Sequence, residues 1–282
     1  MKTRLYTRKR ALISSVAMLL VAMIALGTAT FAWFTASTTA TAKDINVRTI
    51  KASELVVATK DHNYDTIVNY MDATEYGKGK VLLPASSADG AAWYTANAAT
   101  KTSYAATSYT SVDDTTNYVF VDELNIRNNG AAAVNNVTIK FNITETKGGS
   151  GNYVRVALVP LDDDGDFDAT TFRSNIYSGA TEPAYYPVYN GADNQPKVDN
   201  AETVNAVKIT PKNAAANTHK VETGKNLAGK VTNAEGVTTY SELHYALFIW
   251  FEGQDVECLD ANSGNELPAI SFEVSGATAS QV

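Results

Sequence analysis

Val137, Ile139, Phe141 and Ile143 alternate with Thr138, Lys140 and Asn142. A period of two sends one set of side chains into a core and the other toward water, so this stretch reads as a half-buried β-strand. Upstream, Val119 and Val121 have one parity while Leu124 and Ile126 have the other. That phase change predicts a bulge at Asp122-Glu123 within one long strand. Between the two runs lies Asn128-Asn129-Gly130, a turn signal that reaches positive φ cheaply. Residues 117–144 are therefore predicted to form a β-hairpin.

The same logic extends along the chain. Tyr153–Leu161 is a further strand closed by Pro160, and Val204–Thr210 a shorter one. Leu243–Phe251, LHYALFIWF, is apolar at nearly every position, which fits a strand buried on both faces or a short buried helix; nine residues, rich in aromatics and ended by Gly253, favour the strand. Leu267–Val274 carries Ile270, Phe272 and Val274 on one face, and Ile45–Ile50 and Leu55–Thr59 either pair with each other or line a sheet edge. No sustained helical period follows residue 42. Residues 84–116 and 179–235 are weakly patterned and read as long surface insertions. The expectation is an all-β fold: one antiparallel β-sandwich domain over 43–282.

The N-terminus is a separate matter. Residues 1–10 hold five basic residues and no acid, and Ala11–Phe34 runs on without a charge. A basic start, an apolar stretch and then small residues are the layout of a secretory signal, expected here as a hydrophobic signal helix over 1–42. Cleavage sites are available after Ala32 and after Ala42. The alternative is an uncleaved anchor, since about 20 apolar residues span a bilayer. The whole chain has 23 Lys and Arg against 30 Asp and Glu. Removing 1–42 takes five positives and no negatives, so the 18 that remain give a net charge of −12. An acidic balance argues against nucleic-acid binding, and the single cysteine, Cys258, excludes an internal disulfide.

Candidate chemistry is sparse. Asp162, Asp164, Asp166 and Asp168 fall two apart around Gly165, and carboxylates gathered in a flexible loop suit calcium. Where an EF-hand would place its bidentate glutamate the chain has Arg173, and the competing reading is a solvated loop. A second acidic loop holds Glu252, Asp255, Glu257 and Asp260; it is read as structural, with Glu252 and Asp255 accepting backbone N–H bonds in the turn. His62, His219 and His244 are followed by Asn, Lys and Tyr, so the His-Glu-x-x-His zinc motif is absent. No Gly-x-Ser-x-Gly elbow is present either, and the chain is not expected to be an enzyme. Six of the 15 tyrosines (Tyr94, Tyr104, Tyr109, Tyr185, Tyr186, Tyr189) lie in the two insertions, where they either favour interfaces or sugar stacking as exposed rings or cover the insertions' own small cores.

The signal region GTATFAWFTAS, the segment LNIRNNGAAAVNNVTIKFNI and the C-terminal block FIWFEGQDVECLDANSGNELPAISFEV occur in this order. In that order they resemble the TasA/camelysin family of biofilm matrix proteins, exported by Gram-positive bacteria with SipW-type signal peptides. The resemblance implies a jelly-roll-like sandwich and a structural role. Its subunits would assemble into extracellular fibres, with the N-terminal strand of one completing the sheet of the next. It implies self-association or related matrix subunits as partners, a signal peptidase for processing, and membrane contact only through the N-terminal segment. The alternative is a cell-surface binding module, an adhesin or carbohydrate-binding domain using the tyrosine-rich insertions.

Overall fold

The computed structural model describes residues 45–49, 54–60, 63–69, 82–96, 109–144, 150–179, 218–253, 255, 258 and 268–278, all within one compact unit spanning Thr39–Val282. The expected signal helix over 1–42 and the expected strand at 204–210 lie outside them.

Two five-stranded sheets face each other. The first has the order β10 (His219–Glu222), β7 (Val134–Thr144), β14 (Ala269–Thr278), β1 (Ile45–Thr49), β3 (Ile67–Asn69). The second has the order β2 (Leu55–Ala58), β6 (Val119–Asn128), β13 (Ser241–Phe251), β8 (Val154–Pro160), β9 (Ile176–Ser178). All pairs in them are antiparallel except β1 with β14. The fold is all-β, as the alternation requires. The small hairpins β4 (Tyr94–Ala96) with β5 (Tyr109–Ser111), and β11 (Val231–Thr232) with β12 (Thr238–Thr239), stand beside the sandwich. Two short helices, α1 (Ser150–Tyr153) and α2 (Ala169–Ser174), flank β8.

The core between the sheets follows from parity. Ile139, Phe141 and Ile143 of β7 and Ile270, Phe272 and Val274 of β14 meet Leu124 and Ile126 of β6 and Leu247 and Ile249 of β13. Cys258 is buried against the same cluster. Burying each large apolar side chain contributes about 1.5–3 kcal/mol. β13 is the central strand of its sheet and is buried on both faces: Ala246, Phe248 and Trp250 point the other way, into a second cluster. That cluster is roofed by Ala85, Ala88, Trp93 and Phe172. The stretch beginning at residue 84 is thus not wholly a surface insertion; its first part seals the outer face of the second sheet. Gly90 permits this close approach, since at φ +77° a Cβ there would lie 2.7 Å from Phe172.

Two further expectations are corrected. β6 and β7 do not form a hairpin, because each pairs with strands of a different sheet. The Asn128-Asn129-Gly130 turn carries the chain across the sandwich. Apolar faces on opposite sheets bury one another as well as neighbours in one sheet do, so the alternation suits both arrangements. Buried Asn128 holds the crossing: its amide donates to the Ala132 and Ala228 carbonyls at 2.8 and 3.0 Å, and its Oδ1 accepts from the Gly130 N–H at 2.9 Å. Gly130 serves by lacking a side chain, since a Cβ would collide with the Glu54 carboxylate. The bulge at Asp122-Glu123 is also absent, for β6 pairs with β13 in unbroken register from Val119↔Trp250 to Asn128↔Ser241. Val119 and Val121 occupy the outer face. Val119 is apolar there because the second cluster covers it, while Val121 is 39% exposed.

Candidate functional site

β1 is paired on both sides. It is the first described strand, it has five residues, and it lies inside a sheet rather than at the edge. On one side it runs parallel to β14 with Ile45↔Ile270, Val47↔Phe272 and Thr49↔Val274 in register. On the other it runs antiparallel to β3, with Asn46↔Asn69, Val47↔Val68 and Arg48↔Ile67. Parallel neighbours in one sheet require a crossover, since a tight hairpin cannot join them. Here the parallel partners are strands from opposite ends of the domain. β2, which follows, belongs to the other sheet and pairs with β6. The two N-terminal strands therefore do not pair with each other, and only β2 lies at an edge.

The sandwich sides are tied. Val57 and Asp65 exchange backbone bonds at 2.8 and 2.9 Å, linking β2 to the approach of β3. On the opposite side, His219 of β10 donates from Nε2 to the Ser178 carbonyl of β9 at 2.7 Å, with its ring stacked on Phe141.

The second acidic loop is a buried charge cluster. Arg155 projects from the outer face of β8, opposite Trp250, and forms an ion pair with Asp255; both side chains are 0% exposed. The Arg155 guanidinium also donates to the Asn152 carbonyl at 2.8 Å and to Ser178 Oγ at 3.2 Å. Glu252 accepts from the Ser86 hydroxyl and, at 3.2 Å, from Trp250 Nε1. The turn itself closes through backbone bonds from the Asp255 N–H to the Glu252 carbonyl and from the Cys258 N–H to the Asp255 carbonyl. The carboxylates thus reach across to buried side chains, which is a structural role. Burial, then the Glu252 charge, holds the Tyr109 hydroxyl above its ordinary pKa. Acids sealed this deeply offer no face to a substrate. Glu257 and Asp260 lie outside the described residues.

The first acidic loop is exposed and shaped by its own backbone. Asp162 Oδ1 accepts from the N–H groups of Asp164 and Asp166 at 3.0 and 2.8 Å, and Gly165 turns at φ +84°. Asp168 caps α2, accepting from Thr170 and Thr171. Those backbone bonds, Thr171 first, lower its pKa. Among the described residues no three His, Cys, Asp or Glu side chains converge as metal ligands. Of the insertion tyrosines, Tyr94 is buried and Tyr109 half-buried; Tyr104, Tyr185, Tyr186 and Tyr189 lie outside the described residues. An aromatic contact that the sequence did not signal lies elsewhere: Arg127 stacks between Tyr64 and Tyr240, at 3.9 and 4.3 Å from their ring centres.

Two signals could have located the buried pair. Arg155 is the one charge in the strand YVRVALVPL, beside a strand apolar on both faces, so it needs an acid. Which acid depends on a contact one hundred residues away. No protein-family model matches the chain, and no curated protein or solved structure is significantly similar to it.

Proposed function

We propose that the chain is an exported structural protein of the cell surface or biofilm matrix, which self-associates, or joins related matrix subunits, by exchanging its N-terminal strand. On this reading residues 1–42 are the signal peptide removed by a signal peptidase, and the sandwich is jelly-roll-like, as the TasA/camelysin resemblance implies. The observation that carries it is the seat of β1, an N-terminal strand held in the sheet between β14 and β3. Take it away and two rows of backbone N–H and C=O groups lose their partners; the same strand from another copy restores them. Intramolecular and intermolecular seating satisfy the same groups, so concentration and processing select between them.

The test is electron microscopy and light scattering of the processed chain beside one lacking Lys43–Thr49. The reading requires fibres from the first and a folded, non-polymerising domain from the second. Fibres from the shortened chain, or a processed chain that stays monomeric at high concentration, would defeat it. The deletion must stop before β2, because Leu55 and Val57 are fully buried and their loss would unfold the sandwich itself.

A further inference from the structure

We infer that Arg48 and Glu273 set the register at which β1 enters the sheet. On the assembly reading, on which this inference rests, they thereby choose which N-terminal strand a neighbouring copy accepts. Backbone bonds alone do not define register, since each residue offers the same donor and acceptor. Alternation of apolar residues defines it only by parity: a slip of one residue turns every side chain to the other face, but a slip of two restores the pattern. In β14 the buried positions are Ile270, Phe272 and Val274, and Ile45, Val47 and Thr49 stand opposite them. Moving β1 by two residues keeps those parities aligned.

Charge breaks this degeneracy. β1, INVRT, has one charged residue, Arg48, and β14, AISFEVSGAT, has one, Glu273. They are register partners. A two-residue slip in either direction would place Arg48 opposite Ser271 or Ser275 instead. On its other side Glu273 faces Lys140 of β7, which in turn faces Lys220 of β10, itself ion-paired with Glu222. Glu273 therefore stands at a register position between two cations. Directly opposed unlike charges stabilise a cross-strand pair, and like charges destabilise it. A strand with an acid at the Arg48 position would put like charges at register partners, which disfavours its entry.

The test is a mutant cycle in the full processed chain: Arg48→Glu, Glu273→Gln and the double variant, followed by assembly rate and thermal unfolding at low and high salt. We expect Arg48→Glu to slow assembly by roughly tenfold and to lower the melting temperature at low salt. In the Glu273→Gln background the same change is expected to cost less than about twofold, because the repulsion has gone. Added salt should narrow the difference. Equal losses in both backgrounds, or none in either, would overturn the register assignment. A wild-type chain that never assembles would defeat the assembly reading alone, and the melting-temperature cycle would still report on the pair.

Discussion

Arg155 and Asp255 form an ion pair with neither side chain exposed, joining the outer face of β8 to the turn that follows β13. The pair sits at the rim of the second core, where Trp93 packs edge-on against Trp250 at 5.3 Å between ring centres. Desolvating two charges is costly, and their attraction offsets that cost only while both are present. The cluster thus ties the turn after β13 to the sheet, and through the Ser86 hydroxyl on Glu252 it meets the segment that roofs Trp250.

Asp255→Ala should therefore leave the Arg155 charge buried and unpaired, and lower stability by about 3–5 kcal/mol in urea denaturation. Replacing both partners together, Arg155→Met with Asp255→Leu, should cost clearly less than the sum of the single changes. Additive losses would show that the two side chains do not act as a pair.

Gly90→Ala tests the roof. The new methyl would meet the Phe172 ring and also occupy a left-handed backbone position, so destabilisation of about 1–3 kcal/mol is expected. Phe172→Leu in the same chain should recover part of it. Calorimetry of the two single variants and the double measures both effects.

Stability should fall in alkali. Burial pushes the hydroxyls of Tyr177 and Tyr245 up to about 12 from 10.0. A folded pKa above the unfolded one means a contribution fully present below pH 10.0, declining above it and gone once pH passes about 12. Tyrosinate absorbance should rise together with unfolding across that window. Tyr245→Phe should shift the transition to higher pH.

The acidic loop is expected to behave first as a turn and a helix cap. Asp162→Ala and Asp168→Ala should each lower the melting temperature, while Asp164→Asn should leave it unchanged without calcium. Because the folded pKa of Asp168 is depressed, its contribution is present above the ordinary carboxylate range and is lost as pH falls through the lower value. Asp168→Asn should keep the cap and lose that acid sensitivity. If calcium also binds the loop, millimolar ion should raise the melting temperature, and Asp164→Asn with Asp166→Asn should abolish the rise.

What the chain alone determined is local and periodic. Alternation located β7 and β14, and the two-sided apolarity of LHYALFIWF favoured a strand buried on both faces, as β13 is. Which strands pair was decided by the tertiary structure. Leu124 and Ile126 bury equally well beside Ile139 and Phe141 or across from them, so no local signal separates a hairpin from a crossing at Asn128. The parallel partnership of β1 with β14 and the ion pair of Arg155 with Asp255 join residues far apart in sequence. Such contacts depend on closing long loops and desolvating specific partners together, and a free energy of that kind belongs to the assembled fold rather than to any stretch of residues.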